Sequence, residues 1–244
     1  QAAHFPFHLL VPHPRPRAGY AAMISDLDSY VGRTMARVKQ HGPAERTLVL
    51  FSSDHGTTTP RPPEPNFHVG GVDAVFFNST RGLRGFKGSV YEGGIRVPTL
   101  ARLPGVIPAG AVNHTPGYFA DWFPTLSDAV GLEKPAGLDG ESLWPALTRG
   151  ESLKRTRPMI WVFPEYGGQV AVRIGDMKCV RQNLSTKTPG PWKVYDLAKD
   201  PAESTDLAAQ SADLIAEVED LLRREVDANP VFPLRIPGID TASR

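Results

Sequence analysis

At 244 residues, with 27 basic against 26 acidic side chains and a net charge of +1, the chain is long enough for one large domain, or one domain with a small appendage. The balanced charge excludes a global pull toward nucleic acid or an anionic surface, and no apolar run approaches the length of a membrane span. The single cysteine, Cys179, cannot form an internal disulfide, and its flanks read as a strand that buries it as an inert thiol.

The chain begins at Gln1, and residues 5–11 already read as a short apolar strand, so a piece of a longer protein is expected. Pro12-His13-Pro14-Arg15-Pro16-Arg17 must be loop. From residue 18 to 41 the apolar side chains Tyr20, Met23, Ile24, Leu27, Val31, Met35 and Val38 recur at helical spacing and predict a helix with one buried face. Gly42-Pro43 stops it. TLVLFSSDHG, residues 47–56, then reads as a buried strand that ends in an aspartate and a histidine. A strand, helix, strand order predicts two parallel strands joined by a right-handed crossover. Open α/β sheets bind ligands at the carboxyl edge, so His13 and the Asp54-His55 pair are expected on the same edge.

Residues 57–72 are proline-rich loop, and residues 78–96, NSTRGLRGFKGSVYEGGIR, are glycine-rich and basic. A strand is expected over 97–103. A helix is expected over 118–130, with Phe119, Trp122, Phe123, Leu126 and Val130 on one side and Gly131 as its cap. One or two helical turns follow over 142–147. After residue 150 four short strands, 159–163, 170–174, 177–181 and 192–196, predict a small antiparallel sheet. An amphipathic helix over 212–226 turns Leu214, Ile215, Val218, Leu221 and Leu222 inward. The expected fold class is α/β. Residues 1–150 would form the C-terminal portion of an α/β/α sandwich with a mostly parallel sheet, and 151–244 a small antiparallel α+β subdomain.

Four side chains could carry chemistry. Asp54 and His55 offer oxygen and imidazole donors suited to a divalent cation, although an isolated pair of this kind is as readily a turn-former beside a surface histidine. Lys87, in Gly85-Phe86-Lys87-Gly88 with Arg81, Arg84 and Arg96 nearby, could cradle an oxyanion with exposed N–H groups, or could sit on a mobile basic loop. His13 could contact an anion or protonate a leaving group, or simply lie on the surface. Glu92 reads as a residue that orders the glycine-rich loop through hydrogen bonds.

Taken together, these stretches resemble the type I sulfatase (arylsulfatase-like) family of the alkaline phosphatase superfamily. The resemblance rests on PHPRP near the start and YAAMISDLDSYVG in the following helix. It continues through TLVLFSSDHG, GFKGSVYEGGIRVP, DWFPTLSDAVG, LDGESLWPAL and VYDLAKDPAESTDLA, in the family's order and over nearly the whole chain. It implies hydrolysis of sulfate esters by a formylglycine nucleophile, made from a cysteine in Cys-x-Pro/Ala-x-Arg, with one calcium ion (Ca2+). By motif match Asp54 and His55 would be two calcium ligands, and Lys87 and His13 would contact sulfate. The implied substrate is a small-molecule or carbohydrate sulfate ester, and the implied compartment periplasmic, secreted or lysosomal. No Cys-x-Pro/Ala-x-Arg occurs in this sequence, since Val180, Arg181 and Gln182 follow Cys179. The chain is therefore expected to match the family's C-terminal half, to lack the nucleophile and to be inactive alone. A phosphonate or phosphate ester hydrolase of the same superfamily, or a non-catalytic truncated fragment, are the competing readings.

Overall fold

The computed structural model describes residues 16–58, 73–227 and 229–239. His13, the strand expected over 5–11 and most of the proline-rich loop lie outside them. The first helix, α1, runs Pro16–His41 and ends at Gly42, whose N–H donates to Val38 O. Its N-terminal turn is tied down: Arg17 pairs with Asp73 at 2.7 Å, and Tyr20 packs on Phe77 with ring centroids 5.0 Å apart. From Met23 to Val31 its apolar stripe is exposed, and Met35 and Val38 are only half-buried, which corrects the expectation of a buried face. Met23 is 57% and Leu27 45% exposed, because no described element packs along that side.

Strand β1, Val49–Ser52, pairs antiparallel with β2, Thr99–Arg102, placing Ser52 opposite Thr99. Every strand pair among the described residues is antiparallel. The parallel pairing expected for β1 involved residues 5–11, outside the described residues. Between the strands lies a single helical turn, α2, Glu92–Ile95.

Next come a 3-10 turn over Phe119–Asp121, α3 over Trp122–Val130 and α4 over Trp144–Arg149. Gly131 caps α3 in the left-handed region at φ 70°, where a glycine carries no Cβ penalty. Helix α3 turns its polar side inward. Pro124, Thr125 and Ser127 are buried, while Phe123 is 56% and Val130 68% exposed. The inward side is organised by the fully buried Asp121. Its carboxylate accepts two hydrogen bonds from Arg155, at 2.8 and 3.0 Å, and one each from the N–H groups of Tyr118 and Glu141.

The four-stranded sheet has order β3-β4-β5-β6, with strands at Met159–Phe163, Gln169–Ile174, Met177–Gln182 and Lys193–Asp196, all antiparallel as expected. Both faces are covered. Helix α5, Ala212–Glu225, lays Val218, Leu221 and Leu222 over Val170, Val172, Cys179 and Val194 on one face. Val90 and Tyr91, just before α2, pack with Ala171, Val180, Tyr195 and Leu197 on the other. The sheet therefore supports both its own helix and the segment that leads into α2. Cys179 is buried as expected, and burial pushes its thiol pKa up to about 12, so it stays protonated and unreactive.

Candidate active site

The end of β1 makes a compact turn. Ser53 Oγ donates to His55 O at 3.0 Å, and His55 N–H donates to Asp54 Oδ1 at 3.1 Å. The imidazole is held at both nitrogens, with Nδ1 2.9 Å from Gly56 O and Nε2 2.9 Å from Asp54 Oδ2. A carbonyl oxygen can only accept, so Nδ1 carries a proton and donates to Gly56 O. A histidine oriented through one ring N–H to a backbone carbonyl is the arrangement that presents its other nitrogen to a metal. That nitrogen lies against a carboxylate oxygen of Asp54. Asp54 is otherwise open, with its side chain 79% exposed.

The donor chemistry thus fits a divalent cation, but two donors are far short of the six to eight oxygens that calcium takes. No group of three or more histidine, cysteine, aspartate or glutamate side chains among the described residues could hold a metal.

The lysine loop lies directly against this turn. Lys87 N–H donates to Thr57 O at 2.8 Å, and Gly56 N–H donates to Gly94 O at 2.8 Å. Three glycines make the approach possible. A Cβ on Gly56 would stand 2.0 Å from Gly93 O, one on Gly93 2.2 Å from Gly85 O, and one on Gly94 2.1 Å from Ser89 O. Each distance is far inside van der Waals contact, so the Asp-His turn, α2 and the loop meet backbone to backbone. Gly85 and Gly88 both have φ +83°, the left-handed region that favours glycine. The Lys87 side chain is exposed and makes no ion pair among the described residues.

The structure therefore sets the backbone at Lys87 beside the Asp54-His55 turn, while His13 lies outside the described residues. It removes Arg84 from the set of candidate anion contacts. That guanidinium points inward, donates to Tyr195 Oη at 3.0 Å and Glu203 O at 2.9 Å, and stacks 4.1 Å from the Tyr91 ring.

Behind the loop lie three residues that the sequence did not single out. Lys178 on β5 is fully buried, its Nζ 2.8 Å from Glu92 Oε1 and 2.9 Å from Glu203 Oε1. The Glu203 contact is ionic, its geometry falling short of an aligned hydrogen bond. Glu203 Oε2 accepts from Glu92 N–H at 2.7 Å. Burial pushes the Glu203 carboxyl above its usual range, against the opposing pull of Lys178. Gln169 on β4 donates from Nε2 to Gly88 O at 2.9 Å and accepts from Val90 N–H at 3.4 Å. A lysine inside a run of buried strand residues was the available signal for Lys178; Glu203 carried none besides its place in VYDLAKDPAESTDLA.

Comparison with known proteins gives this arrangement a family. A family model described as Sulfatase matches residues 4–132, and one described as N-sulphoglucosamine sulphohydrolase, C-terminal, matches residues 85–229. Arylsulfatase K of Danio rerio is 30% identical over 217 residues, covering 86% of this chain and 37% of that protein. A crystal structure of Ps i-CgsB superposes with a TM-score of 0.69 at 24% identity, over 91% of this chain and 48% of that one, and supports the fold alone. The phosphonate monoester hydrolase of Agrobacterium radiobacter superposes with a TM-score of 0.57 at 29% identity, over 83% of this chain and 40% of that one. This chain thus spans less than half the length of each of these proteins. Its described fold is α/β, and the Sulfatase match alone takes in over half its residues: the chain belongs to the sulfatase family.

Proposed function

We propose that this chain supplies one side of an active site that hydrolyses sulfate esters of small molecules or carbohydrates. The observation that carries the reading is the backbone bond from Lys87 N–H to Thr57 O, which sets the lysine loop beside the Asp54-His55 turn. An exposed lysine whose loop backbone adjoins a carboxylate and an oriented imidazole is suited to an anionic group shared between a fixed cation and a metal. In this reading Asp54 and His55 would hold part of a calcium site. When bound, the ion would withdraw charge from the sulfate oxygens. Lys87 binds a sulfate oxygen and stabilises negative charge on the departing alkoxide or phenoxide. The hydrogen bond from His55 Nδ1 to Gly56 O keeps Nε2 turned toward Asp54. His13, which precedes α1 in sequence, would be a second sulfate contact.

The nucleophile, a formylglycine, and the remaining metal ligands would come from sequence that this chain does not contain. Two facts support that division. The chain spans 37% of arylsulfatase K, and the apolar stripe of α1 and the outer face of α3 are uncovered. Those faces would receive the rest of the sandwich. On this reading the isolated chain is inactive.

The test uses the full gene product with an aryl sulfate and an aryl phosphonate as parallel substrates. Turnover of the sulfate ester is expected, with kcat/KM lowered by about 10²-fold or more in Lys87→Ala and lost after calcium is chelated. Turnover of the phosphonate alone would transfer the assignment to the phosphonate and phosphate ester reading, which the likeness to the Agrobacterium hydrolase favours. Turnover of neither, with no nucleophile motif encoded, would make the chain a non-catalytic fragment.

A further inference from the structure

We propose that Lys178, clasped between Glu92 and Glu203, is a positioning residue for the Lys87 loop, fixing it against the Asp54-His55 turn from the far side of α2. The inference rests on the reading of Lys87 as a sulfate contact, and it assigns to the small C-terminal sheet a role in building the site.

The loop cannot hold its own shape. Helix α2 is four residues long, too short to be stable by itself. Ser89 N–H donates to Phe86 O at 3.0 Å across Gly88, and Gly93 N–H to Arg84 O at 2.6 Å, but Gly85, Gly88, Gly93 and Gly94 contribute no side-chain packing. Apart from its two backbone bonds to Thr57 and Gly56, the side-chain tethers that hold the loop from outside lead to the C-terminal sheet or to Glu203. Arg84 is bonded to Tyr195 and Glu203, Gly88 and Val90 to Gln169, and Glu92 to Lys178 and Glu203.

Lys178 is the one full charge on the sheet in this set, and it is fully buried, so no water competes for its partners. Glu92 is both the first residue of α2 and the residue that Lys178 holds. The next two residues, Gly93 and Gly94, meet Gly56, which follows His55 directly. A shift of Glu92 therefore moves the floor under the Asp-His turn and the anchor of Lys87 together.

The alternative is that the triad only holds the core together. The two roles differ in where loosening appears. Amide hydrogen exchange of the full gene product separates them without any substrate. In Lys178→Met, exchange is expected to speed by about ten-fold or more over residues 54–58 and 84–95 while staying within about two-fold over α5, where protection reports the core. Lys178→Arg should restore most of the loop's protection, since it keeps a positive charge opposite the two carboxylates. Equal acceleration in α5, or an unchanged loop, would overturn the proposal. Should Lys178→Met not fold, Glu203→Gln keeps the Lys178–Glu92 pair and is read by the same criterion, loop against α5. Absence of sulfate hydrolysis by the unsubstituted full gene product, with the loop loosening as expected in Lys178→Met, would sink the sulfatase reading and leave the hold of Lys178 on the loop standing.

Discussion

Helices α3 and α5 are both amphipathic in sequence, yet they sit in opposite ways. In α5 the apolar residues Val218, Leu221 and Leu222 face a sheet and are buried. In α3 the apolar residues Phe123, Leu126 and Val130 face outward, and the buried side is Thr125, Ser127 and the hydrogen bonds around Asp121. The stripe of α1 is exposed in the same manner. An apolar helical face forms wherever the periodicity writes it, but it is buried only if a covering layer exists. The region from β3 onward supplies the cover for one face of its sheet through α5, and Val90 and Tyr91 cover the other. The region that carries Asp54, His55 and Lys87 leans on that sheet from one side and is open on the other. The site is assembled where a part with a covered sheet meets a part whose apolar helix faces are exposed.

That contrast can be broken at three points. Leu222→Ala should have the largest effect on stability, about 2–5 kcal/mol, because the side chain is fully buried and the cavity cannot collapse under a covered sheet. Urea unfolding measures it, and a cost below 1 kcal/mol would mean that the C-terminal core is looser than its burial shows. Gly93→Ala should come next, at about 1–3 kcal/mol, since its methyl group would meet the backbone oxygens of Gly85 and Arg84. Its effect should be concentrated in the site: faster exchange at residues 54–58 and 84–95, with α5 protected as before. An unchanged loop would show that the glycine contacts do not set the spacing.

Phe123→Ala should have the smallest effect, within about 0.5 kcal/mol in the isolated chain, as for other exposed positions. The same substitution in the full gene product should cost several times more if the α3 face receives the rest of the sandwich. Equal small costs in both would leave that face uncovered in the complete protein and remove one support for the division of the site.

Local pattern carried much of this structure. The strands at 159–163, 170–174, 177–181 and 192–196 and the helix at 212–226 were legible because alternation and 3.6-residue spacing are properties of neighbours in the chain. The left-handed cap at Gly131 was legible because glycine is the residue that φ 70° favours. Asp54-His55 and Lys87 could be singled out as chemistry, and their family order could be read from short motifs. Their meeting could not be read, since it depends on Gly56, Gly93 and Gly85 stacking backbone on backbone across a loop. Arg84 was misleading for a related reason. A guanidinium in a basic loop looks the same in sequence whether it faces solvent or the Tyr91 ring.

The sequence by itself determined most of the described helices and strands (though not α2 or the start of α1 at Pro16), which residues could ligate a cation or bind an anion, and to which family those motifs belong. Tertiary structure alone decided which faces are covered and which buried charges find partners. Lys178 meets Glu92 across 86 residues of chain, and Glu203 meets Glu92 across 111. A buried charge is tolerated only when an opposite charge is brought to it, and no local signal states which distant carboxylate that will be.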